Sequence, residues 1–484
     1  MKAAFLIAAP SSGSGKTTIA RGLMALLVQR GFCVQPFKCG PDYIDTKFHE
    51  AVCGRPSVNL DTFMATPDHV RELFCRYTLG GAAAPEWARR PADVAVVEGM
   101  MGLFDGYDRD LGSCSEVARV LELPVVLVVD ARSAAYSMAA LLQGFLHFRA
   151  DVRIAGVIFN KVGSQRHQQM LREVAGEVGV PCLGCIPKQA ALEQGSRYLG
   201  LDFSEDTNND ELLRTLTECL DLQALMESTT CGTQKYHLWY KEVPPVVFAQ
   251  KSCRILVARN AESFSFVYQE TIDLLSSLGS VAFFDPEEEE SGRCLVGNSG
   301  NRSAVELGNR SAEELGNRPA EESGICLAGE PFTLLYLPGG YPEKHLEALV
   351  RAEKTRRFVH DFAAAGGHII AECGGMMYLC RSILTDEGEA AMCGVLPYDV
   401  SARKADRRLS LGYRRFELEG QEMRGHEFHY TQFAQPAPAS VVQVMNAKGE
   451  PVATPILRSG NVLASYTHLS PEAFRVLFPL LSSC

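Results

Sequence analysis

Short apolar runs alternate with longer amphipathic stretches over roughly the first 200 residues of the chain. Runs of strand length lie at 3–10, 32–39, 94–99, 125–131 and 154–162, and stretches of helix length lie at 18–31, 134–148 and 165–178. Several runs are rich in valine and isoleucine and lack polar alternation, which is typical of a sheet covered on both faces. Strands and helices that alternate in this way predict the α/β class with a parallel sheet.

The alternation is lost over 225–250, which includes two adjacent prolines at 244–245. Proline disfavours both a helix interior and a central strand, so we interpret this segment as a linker. A second α/β region begins with the apolar run at 253–259. The chain of 484 residues is therefore predicted to hold two domains, 1–224 and 251–484, and a chain of this length favours more than one domain.

One part of the second domain, 285–330, differs from its surroundings. It starts with an acidic run and continues with an eight-residue repeat over 300–323, in the order GNRSAVEL, GNRSAEEL, GNRPAEES. Eight residues are too few for the repeat units that bury a core between neighbours. We predict a low-complexity surface insertion that is disordered or weakly helical.

Composition narrows the classes of partner. The net charge of −11 disfavours binding to nucleic acid or to an anionic membrane. No apolar run approaches the roughly 18 residues of a membrane span. The N-terminal apolar run is short for a signal peptide and leads directly into GSGKTT, and the sixteen scattered cysteines agree with a reducing compartment. We expect a cytoplasmic protein with neither nucleic acid nor membrane as a partner.

The segment SSGSGKTT at 11–18 lies between the first predicted strand and the first predicted helix. Glycines here let backbone N–H groups turn towards phosphate oxygens, and the helix N-terminus adds a favourable dipole. The lysine can reach the β and γ phosphates of a nucleotide, and the hydroxyl after it can bind Mg²⁺. Pro10 stands where the usual spacing has glycine, so the loop is a variant P-loop. The predicted ATP-binding residues are Gly13, Gly15, Lys16, Thr17 and Thr18, together with Asn160 at the end of a later strand.

Two acidic groups follow predicted strands, at the carboxyl edge where parallel sheets bind ligands. Asp42 and Asp45 lie in KCGPDYID, and Glu98 and Asp105 lie in VEGMMGLFDG. A bound triphosphate needs a metal ion with oxygen ligands, and we predict Thr17, Asp45 and Glu98 for that role. An ordinary turn or helix cap is the alternative for any single aspartate.

The segment GGHIIAECGGMMYL at 366–379 predicts a strand, a sharp turn and a helix, with Cys373 in the turn. This is the arrangement of a nucleophile elbow with cysteine in place of serine. We expect the helix N-terminus to lower the pKa of the thiol. His468, which follows a later apolar run, is the candidate base, and Gly339 and Gly340 are the candidate oxyanion donors.

The ordered set of motifs resembles the cobyrinic acid a,c-diamide synthases of corrinoid biosynthesis. The motifs are SGSGKTT, FKCGPDYID, NLDTFM, VEGMMGLFDG, VVDARS, FNKV, SRYLGL, LPGGYPE, AECGGMMYL, LGYRRFE, GHEFHY and ASYTHL. No single motif is decisive, but the set is highly specific and spans nearly the whole chain outside 225–250 and 285–330. The resemblance implies a synthetase domain similar to dethiobiotin synthetase, followed by a class I-type glutamine amidotransferase domain.

The resemblance also implies a reaction. ATP and Mg²⁺ would drive amidation of the c and a acetate carboxylates of cobyrinic acid through a phosphorylated carboxylate, with glutamine or ammonia as nitrogen donor. The implied roles are triphosphate and metal binding for Lys16 and Thr17, metal ligation or its support for Asp45 and Glu98, placement of metal or substrate for Asp42 and Asp105, glutaminase nucleophile for Cys373 and its base for His468.

Some alternatives stay open at this point. Ser470 stands where many class I glutaminases have a glutamate two residues after the catalytic histidine, so the sequence does not identify a third member of that site. Hydrogenobyrinic acid and nickel-sirohydrochlorin are alternative substrates for the same reaction. A P-loop ATPase switch is the alternative from another class, although it leaves Cys373 without a role. A homodimer is the candidate assembly.

Deletion of residues 291–328 tests the predicted insertion. We expect the rate of glutamine hydrolysis to stay within about twofold of the wild type, because a surface insertion contributes no core. Glutamate release by the purified deletion variant is the measurement. A large loss of rate would show that the segment belongs to the folded domain.

Overall fold

The first apolar run forms strand β1 (Ala3–Ala8), and all six of its residues are buried. The computed structural model describes residues 1–81, 84–188, 209–242, 253–289, 333–434 and 436–482. The chain divides into two compact units, Met1–Pro245 and Val246–Cys484. Each unit is built around its own sheet.

The sheet of the first unit has the order β3-β2-β4-β1-β5-β6-β7, and its paired neighbours run parallel. Leu6, Val97 and Leu127 lie in the core on one face, and Phe5 and Val96 lie in the core on the other. Burial on both faces explains the continuous apolar runs, and the predicted parallel α/β sheet is confirmed. Its further strands are β2 (Val34–Cys39), β3 (Val58–Leu60), β4 (Val94–Glu98), β5 (Val125–Asp130), β6 (Ile154–Val162) and β7 (Cys182–Pro187).

Helices connect these strands, as parallel pairing requires, and three more of the described helices follow the last strand. They are α1 (Lys16–Gln29), α2 (Asp45–Cys53), α3 (Pro67–Leu79), α4 (Cys114–Leu121), α5 (Met138–His147), α6 (Gln165–Glu177), α7 (Asn209–Cys219), α8 (Leu222–Ser228) and α9 (Gln234–Glu242).

The predicted linker at 225–250 is wrong over its first part, because helices α8 and α9 occupy residues up to 242. Helix α9 packs against α3, and the side chain of Tyr236 is fully buried beside Phe74. The apolar positions of such a short helix gave no clear period along the sequence, and only contact with α3 defines its buried side. The rest of that segment, 243–250, lies outside the described residues.

The main sheet of the second unit has the order β20-β21-β11-β10-β8-β9, and only the pair β20–β21 is antiparallel within it. Two smaller sheets, of four and five strands, lie in the same unit. The strands are β8 (Cys253–Ala258), β9 (Gly279–Phe284), β10 (Leu334–Leu337), β11 (His368–Glu372), β12 (Ser382–Leu384), β13 (Glu389–Ala391), β14 (Asp399–Ser401), β15 (Ser410–Leu418), β16 (Gln421–His429), β17 (Gln432–Phe433), β18 (Val444–Asn446), β19 (Pro451–Val452), β20 (Ile456–Ser459), β21 (Val462–Ser465) and β22 (His468–Leu469).

The helices of the second unit are α10 (Gln269–Leu278), α11 (Leu346–Arg351), α12 (Glu353–Ala364), α13 (Gly374–Leu379) and α14 (Pro471–Ser482). The eight-residue repeat at 300–323 lies outside the described residues, as does most of the predicted insertion. None of the helices in the described ranges has both the length and the apolar character needed to cross a membrane.

Replacement of Tyr236 by alanine tests whether α9 belongs to the first unit. We expect a loss of about 3–5 kcal/mol in unfolding free energy, because a large buried ring would leave a cavity beside Phe74. Leu238→Ala is the matched control: Leu238 lies on the same helix but is 55% exposed, so a change within about 0.5 kcal/mol is expected. Both changes in unfolding free energy are measured by urea unfolding of the full chain, from its least stable unfolding transition. Equal effects of the two variants would mean that α9 contributes no core.

Candidate active sites

The phosphate-loop segment connects β1 to α1, and α1 begins at Lys16. Gly13 and Gly15 have φ angles of 79° and 85°, a region that favours glycine. A Cβ atom at Gly15 would lie 2.2 Å from the amide nitrogen of Asn160. Glycine is therefore required at position 15 for both backbone conformation and space.

Asn160 supports this loop from the end of β6. Its amide nitrogen donates to the carbonyl of Ser14 at 2.9 Å, and its amide oxygen accepts from the backbone N–H of Lys161 at 2.9 Å. The Nζ of Lys161 donates to the carbonyl of Gly13 at 2.9 Å. Asn160 thus holds the loop, and direct contact with a nucleotide stays a prediction for this residue.

Lys16 and Thr17 begin α1 and face the end of β4. The Nζ of Lys16 donates to the carbonyl of Met101 at 2.7 Å, and burial lowers the pKa of this lysine. The hydroxyl of Thr17 donates to Oε1 of Glu98 at 2.7 Å. Thr18 follows in the same turn and is half-buried.

Glu98 is fully buried at the end of β4 and accepts hydrogen bonds from three side chains. Besides Thr17, these are Nζ of Lys38 at 2.9 Å and Nε2 of His49 at 2.7 Å. Burial by itself would raise the pKa of Glu98, but Lys38 and His49 outweigh burial and hold the pKa well below its usual range. The glutamate is therefore ionised.

Lys38 joins Glu98 to the second predicted carboxylate. Its Nζ lies 2.5 Å from Oδ2 of Asp45 and 3.9 Å from Oδ2 of Asp42. Burial raises the pKa of Asp45 to about 6, with Lys38 acting against that shift and Glu98 adding to it. The structure thus brings Thr17, Asp45 and Glu98 to one place, around a buried lysine.

Asp42 and Asp105 shape the neighbouring loops. Oδ1 of Asp42 accepts from the backbone N–H groups of Ile44 and Asp45, at 2.8 and 2.9 Å, and so positions the start of α2. Oδ2 of Asp105 accepts from the N–H of Gly102 at 3.1 Å. In this structure both act as turn residues.

Two residues of this site, Lys38 and His49, were not predicted from the sequence. Lys38 lies within β2, whose six residues are all buried, and a lysine in an apolar run needs a nearby anion. That signal was available in the sequence. His49 gave no such signal, because it faces Glu98 only after α2 has formed and packed.

In the second unit Cys373 lies between β11 and α13 with φ 45° and ψ −108°, a strained conformation for a residue other than glycine. Such strain is typical of a nucleophile elbow. A Cβ atom at Gly374 would lie 2.7 Å from the carbonyl oxygen of Gly340, and one at Gly375 would lie 2.1 Å from that of Leu337. The turn therefore packs directly on the backbone that follows β10.

His468 lies against the other side of that backbone. A Cβ atom at Gly339 would be 2.2 Å from Cε1 of His468, and the histidine is 1% exposed. Gly339 and Gly340 thus contact both the turn that carries Cys373 and the ring of His468. The structure brings together the four residues that the sequence suggested for glutamine hydrolysis.

The expected lowering of the Cys373 pKa is wrong for this structure. Burial, with Glu343 second, raises the pKa of the thiol, and α13 has only six residues. Burial also lowers the pKa of His468 to about 3. At neutral pH the resting site therefore holds an uncharged thiol and an uncharged imidazole.

Comparison with known proteins agrees with both sites. Residues 5–211 match the CobQ/CobB/MinD/ParA nucleotide binding domain, and residues 310–475 match the CobB/CobQ-like glutamine amidotransferase domain. A hydrogenobyrinate a,c-diamide synthase of Brucella anthropi is 36% identical, over 96% of this chain and 98% of its own length. The chain belongs to the a,c-diamide synthase family.

Other members of the family are similar over comparable lengths. A hydrogenobyrinate a,c-diamide synthase of Streptomyces coelicolor is 36% identical, over 96% of this chain and 94% of its own. A cobyrinate a,c-diamide synthase of Caldanaerobacter subterraneus is 33% identical, over 97% and 96%. Cys373 lies within the matched glutamine amidotransferase domain, whereas the ATPase-switch alternative has no such domain.

Substitution of Gly15 by alanine tests the nucleotide site. We expect ATP affinity to fall at least about tenfold, because alanine would adopt an unfavourable φ and displace the Asn160 amide. Gly31→Ala is a close control, since Gly31 has the same φ of 85° but no atom within 4 Å of an added Cβ. Its ATP affinity is expected to match the wild type. Calorimetric titration with MgATP measures both, and unchanged affinity of Gly15→Ala would contradict the placement of the phosphates.

Proposed function

We propose that this chain is an ATP-dependent amidotransferase that converts the c and a acetate carboxylates of cobyrinic acid to amides, with glutamine or ammonia as nitrogen donor. The observation that carries the proposal is the presence of two sites in one chain. One is a phosphate loop beside a buried ionised glutamate, and the other is a cysteine elbow beside a neutral histidine. Similarity to a,c-diamide synthases over nearly the full length supports the pairing of these sites with this reaction.

The choice of tetrapyrrole is part of the proposal. The sequence motifs favour cobyrinic acid, with hydrogenobyrinic acid and nickel-sirohydrochlorin as alternatives. The names of the relatives include both the cobyrinate and the hydrogenobyrinate reaction, which supports the first two substrates. Cytoplasmic location and a homodimer stay predictions.

Magnesium binding is inferred from the donor atoms near the phosphate loop. The described residues contain no group of three or more His, Cys, Asp or Glu side chains placed to hold a metal by themselves. Mg²⁺ at nucleotide sites usually takes one or two carboxylates and completes its shell with water and phosphate oxygens. The oxygens of Thr17, Asp45 and Glu98 fit that kind of site, and the bound ion would neutralise charge on the β and γ phosphates.

In the synthetase unit, a carboxylate oxygen of the substrate attacks the γ phosphorus of ATP, and the bond to the β–γ bridging oxygen breaks to release ADP. The acyl phosphate formed is a better electrophile than a carboxylate, so ammonia attacks its carbonyl carbon and expels phosphate. Lys16 at the start of α1 stabilises charge on the transferred group. Asp42 and Asp105 support the loops around the metal and substrate.

In the amidotransferase unit, His468 takes the proton of the Cys373 thiol as sulfur attacks the amide carbon of glutamine. The same proton then passes to the departing nitrogen, which leaves as ammonia. Water hydrolyses the thioester and releases glutamate. The backbone N–H groups of Gly339 and Gly340 stabilise the oxyanion in both steps.

Mass spectrometry of tetrapyrrole products tests the proposal. With MgATP and glutamine we expect cobyrinic acid to gain two amides, each replacing a hydroxyl by an amino group. Cys373→Ala is expected to lose the glutamine-driven product and to recover it with ammonium, because only nitrogen supply has been removed. Hydrogenobyrinic acid in parallel reactions decides between the two substrates. ATP hydrolysis without amidation of either compound would contradict the proposal.

A further inference from the structure

Glu372, the residue directly before Cys373, is a buried carboxylate that neither the resemblance nor the proposed reaction uses. It ends β11 and is 3% exposed. Its Oε2 lies 3.8 Å from Nδ1 of His468. Strand alternation turns its side chain away from the core that contains Ala371.

Two donors fix the Glu372 carboxylate. The backbone N–H of Leu469 donates to Oε1 at 3.0 Å, and the hydroxyl of Tyr336 donates to Oε2 at 2.9 Å. Leu469 follows His468 in β22, so the same short strand positions both the imidazole and the carboxylate. The carboxylate is therefore held in place beside Nδ1, on the far side of the ring from a proton accepted at Nε2.

We infer that Glu372 is the positioning residue of the glutaminase site, accepting a hydrogen bond from Nδ1–H of His468 and stabilising the imidazolium formed when Cys373 reacts. The inference rests on the proposed roles of Cys373 and His468. In its ionised form, a carboxylate in this position keeps Nε2 unprotonated at rest, as the orienting acid of a catalytic triad does. It replaces the glutamate that the sequence lacks at Ser470.

The contact needs to shorten by about 0.8 Å to become a hydrogen bond of ordinary length. Catalytic hydrogen bonds are often long without substrate and tighten when substrate binds. Proton transfer to His468 adds a positive charge opposite Glu372, which draws the two groups together.

Glu427 is the competing carboxylate, and its contacts exclude it from this role. Arg414 donates to its Oε2 from Nε at 3.0 Å and from Nη2 at 2.8 Å, and Thr454 donates to the same oxygen at 2.9 Å. Thr467 donates to Oε1 at 3.0 Å. The charge of Glu427 is thus paired with Arg414, whereas the hydrogen bonds to Glu372 from Leu469 and Tyr336 come from neutral donors.

The ionisation of Glu372 gives the pH readout. Burial raises its pKa to about 8, against the stabilising donors Leu469 and Tyr336. The carboxylate form that accepts from Nδ1–H therefore grows as pH rises through this value. The other ionisable groups that bear on the pair are Tyr336 on β10, Cys373, and His426, Glu427 and His429 on β16.

The experiment measures glutamate release by the full chain from pH 6 to pH 9.5. This range extends about two units below the raised pKa of Glu372 and about one and a half units above it. Glu372→Gln keeps the shape but cannot carry the charge, and we expect kcat to fall about 100-fold or more with KM for glutamine within about twofold. The rise of rate with pH should disappear in this variant. Ammonium-driven amidation should equal that of the wild type, which shows that the chain is folded.

Two further variants make the outcome decisive. Tyr336→Phe removes one donor to the Glu372 carboxylate. We therefore expect the rise of its rate of glutamate release to move to higher pH, while the maximal rate stays the same. Glu427→Gln is the matched control and should keep the rise of rate with pH. The inference would be overturned if Glu372→Gln kept the wild-type kcat and the rise of rate with pH. It would also be overturned if Glu427→Gln lost that rise instead. If Glu372→Gln fails to fold, an unshifted rise of rate with pH in Tyr336→Phe overturns it.

Failure of the proposed function gives a different result. Wild-type protein that releases no glutamate, or Cys373→Ala that releases it normally, would contradict the proposed glutaminase site itself. A wild type that depends on Cys373, with a Glu372→Gln variant that behaves like it, would contradict only the role of Glu372.

Discussion

An ionised glutamate without solvent contact is the constraint on which the nucleotide edge of the first unit depends. A buried charge costs several kcal/mol unless partners surround it, and Glu98 has three. These partners come from α1, β2 and α2, so one carboxylate ties together the phosphate loop, the neighbouring strand and the helix that follows it. His49 in turn contacts Ser57 through Nδ1 at 3.0 Å, which extends the network away from the nucleotide edge.

The corresponding constraint in the second unit is the buried turn that holds the Cys373 thiol. Its elbow packs so closely on Gly339 and Gly340 that added Cβ atoms would collide, and Cys373 is left in a dry, strained turn. The dry surroundings keep both the thiol and His468 uncharged. In the proposed mechanism, charge separates only when sulfur attacks the substrate amide, and the proton that the thiol gives up then protonates the departing nitrogen. The inferred role of Glu372 is to stabilise this charge-separated state in a low-dielectric site.

The departures from expectation have physical causes. Residues 225–242 were expected to be a linker because short helices such as α9 carry too few apolar positions to show a period, yet the ring of Tyr236 contacts the rings of Phe74 and Trp239. The thiol pKa was expected to fall because a helix follows Cys373. Six residues provide a small dipole, and full burial outweighs it. Both predictions were wrong because they considered a segment without the residues that pack around it in the fold.

The sequence by itself determined the parallel α/β fold of the first unit, the phosphate loop and the cysteine turn, because each depends on local periodicity or on residues within one short segment. Lys16, Thr17, Gly339, Gly340 and Cys373 were predicted as site residues for the same reason. Only the tertiary structure decided that Lys38 and His49 meet Glu98, that Asn160 supports the loop, and that Glu372 faces His468. Those contacts join residues that are 49 to 146 positions apart in the chain. A single sequence does not show which of its distant charged residues are buried together, because the fold alone brings them into contact.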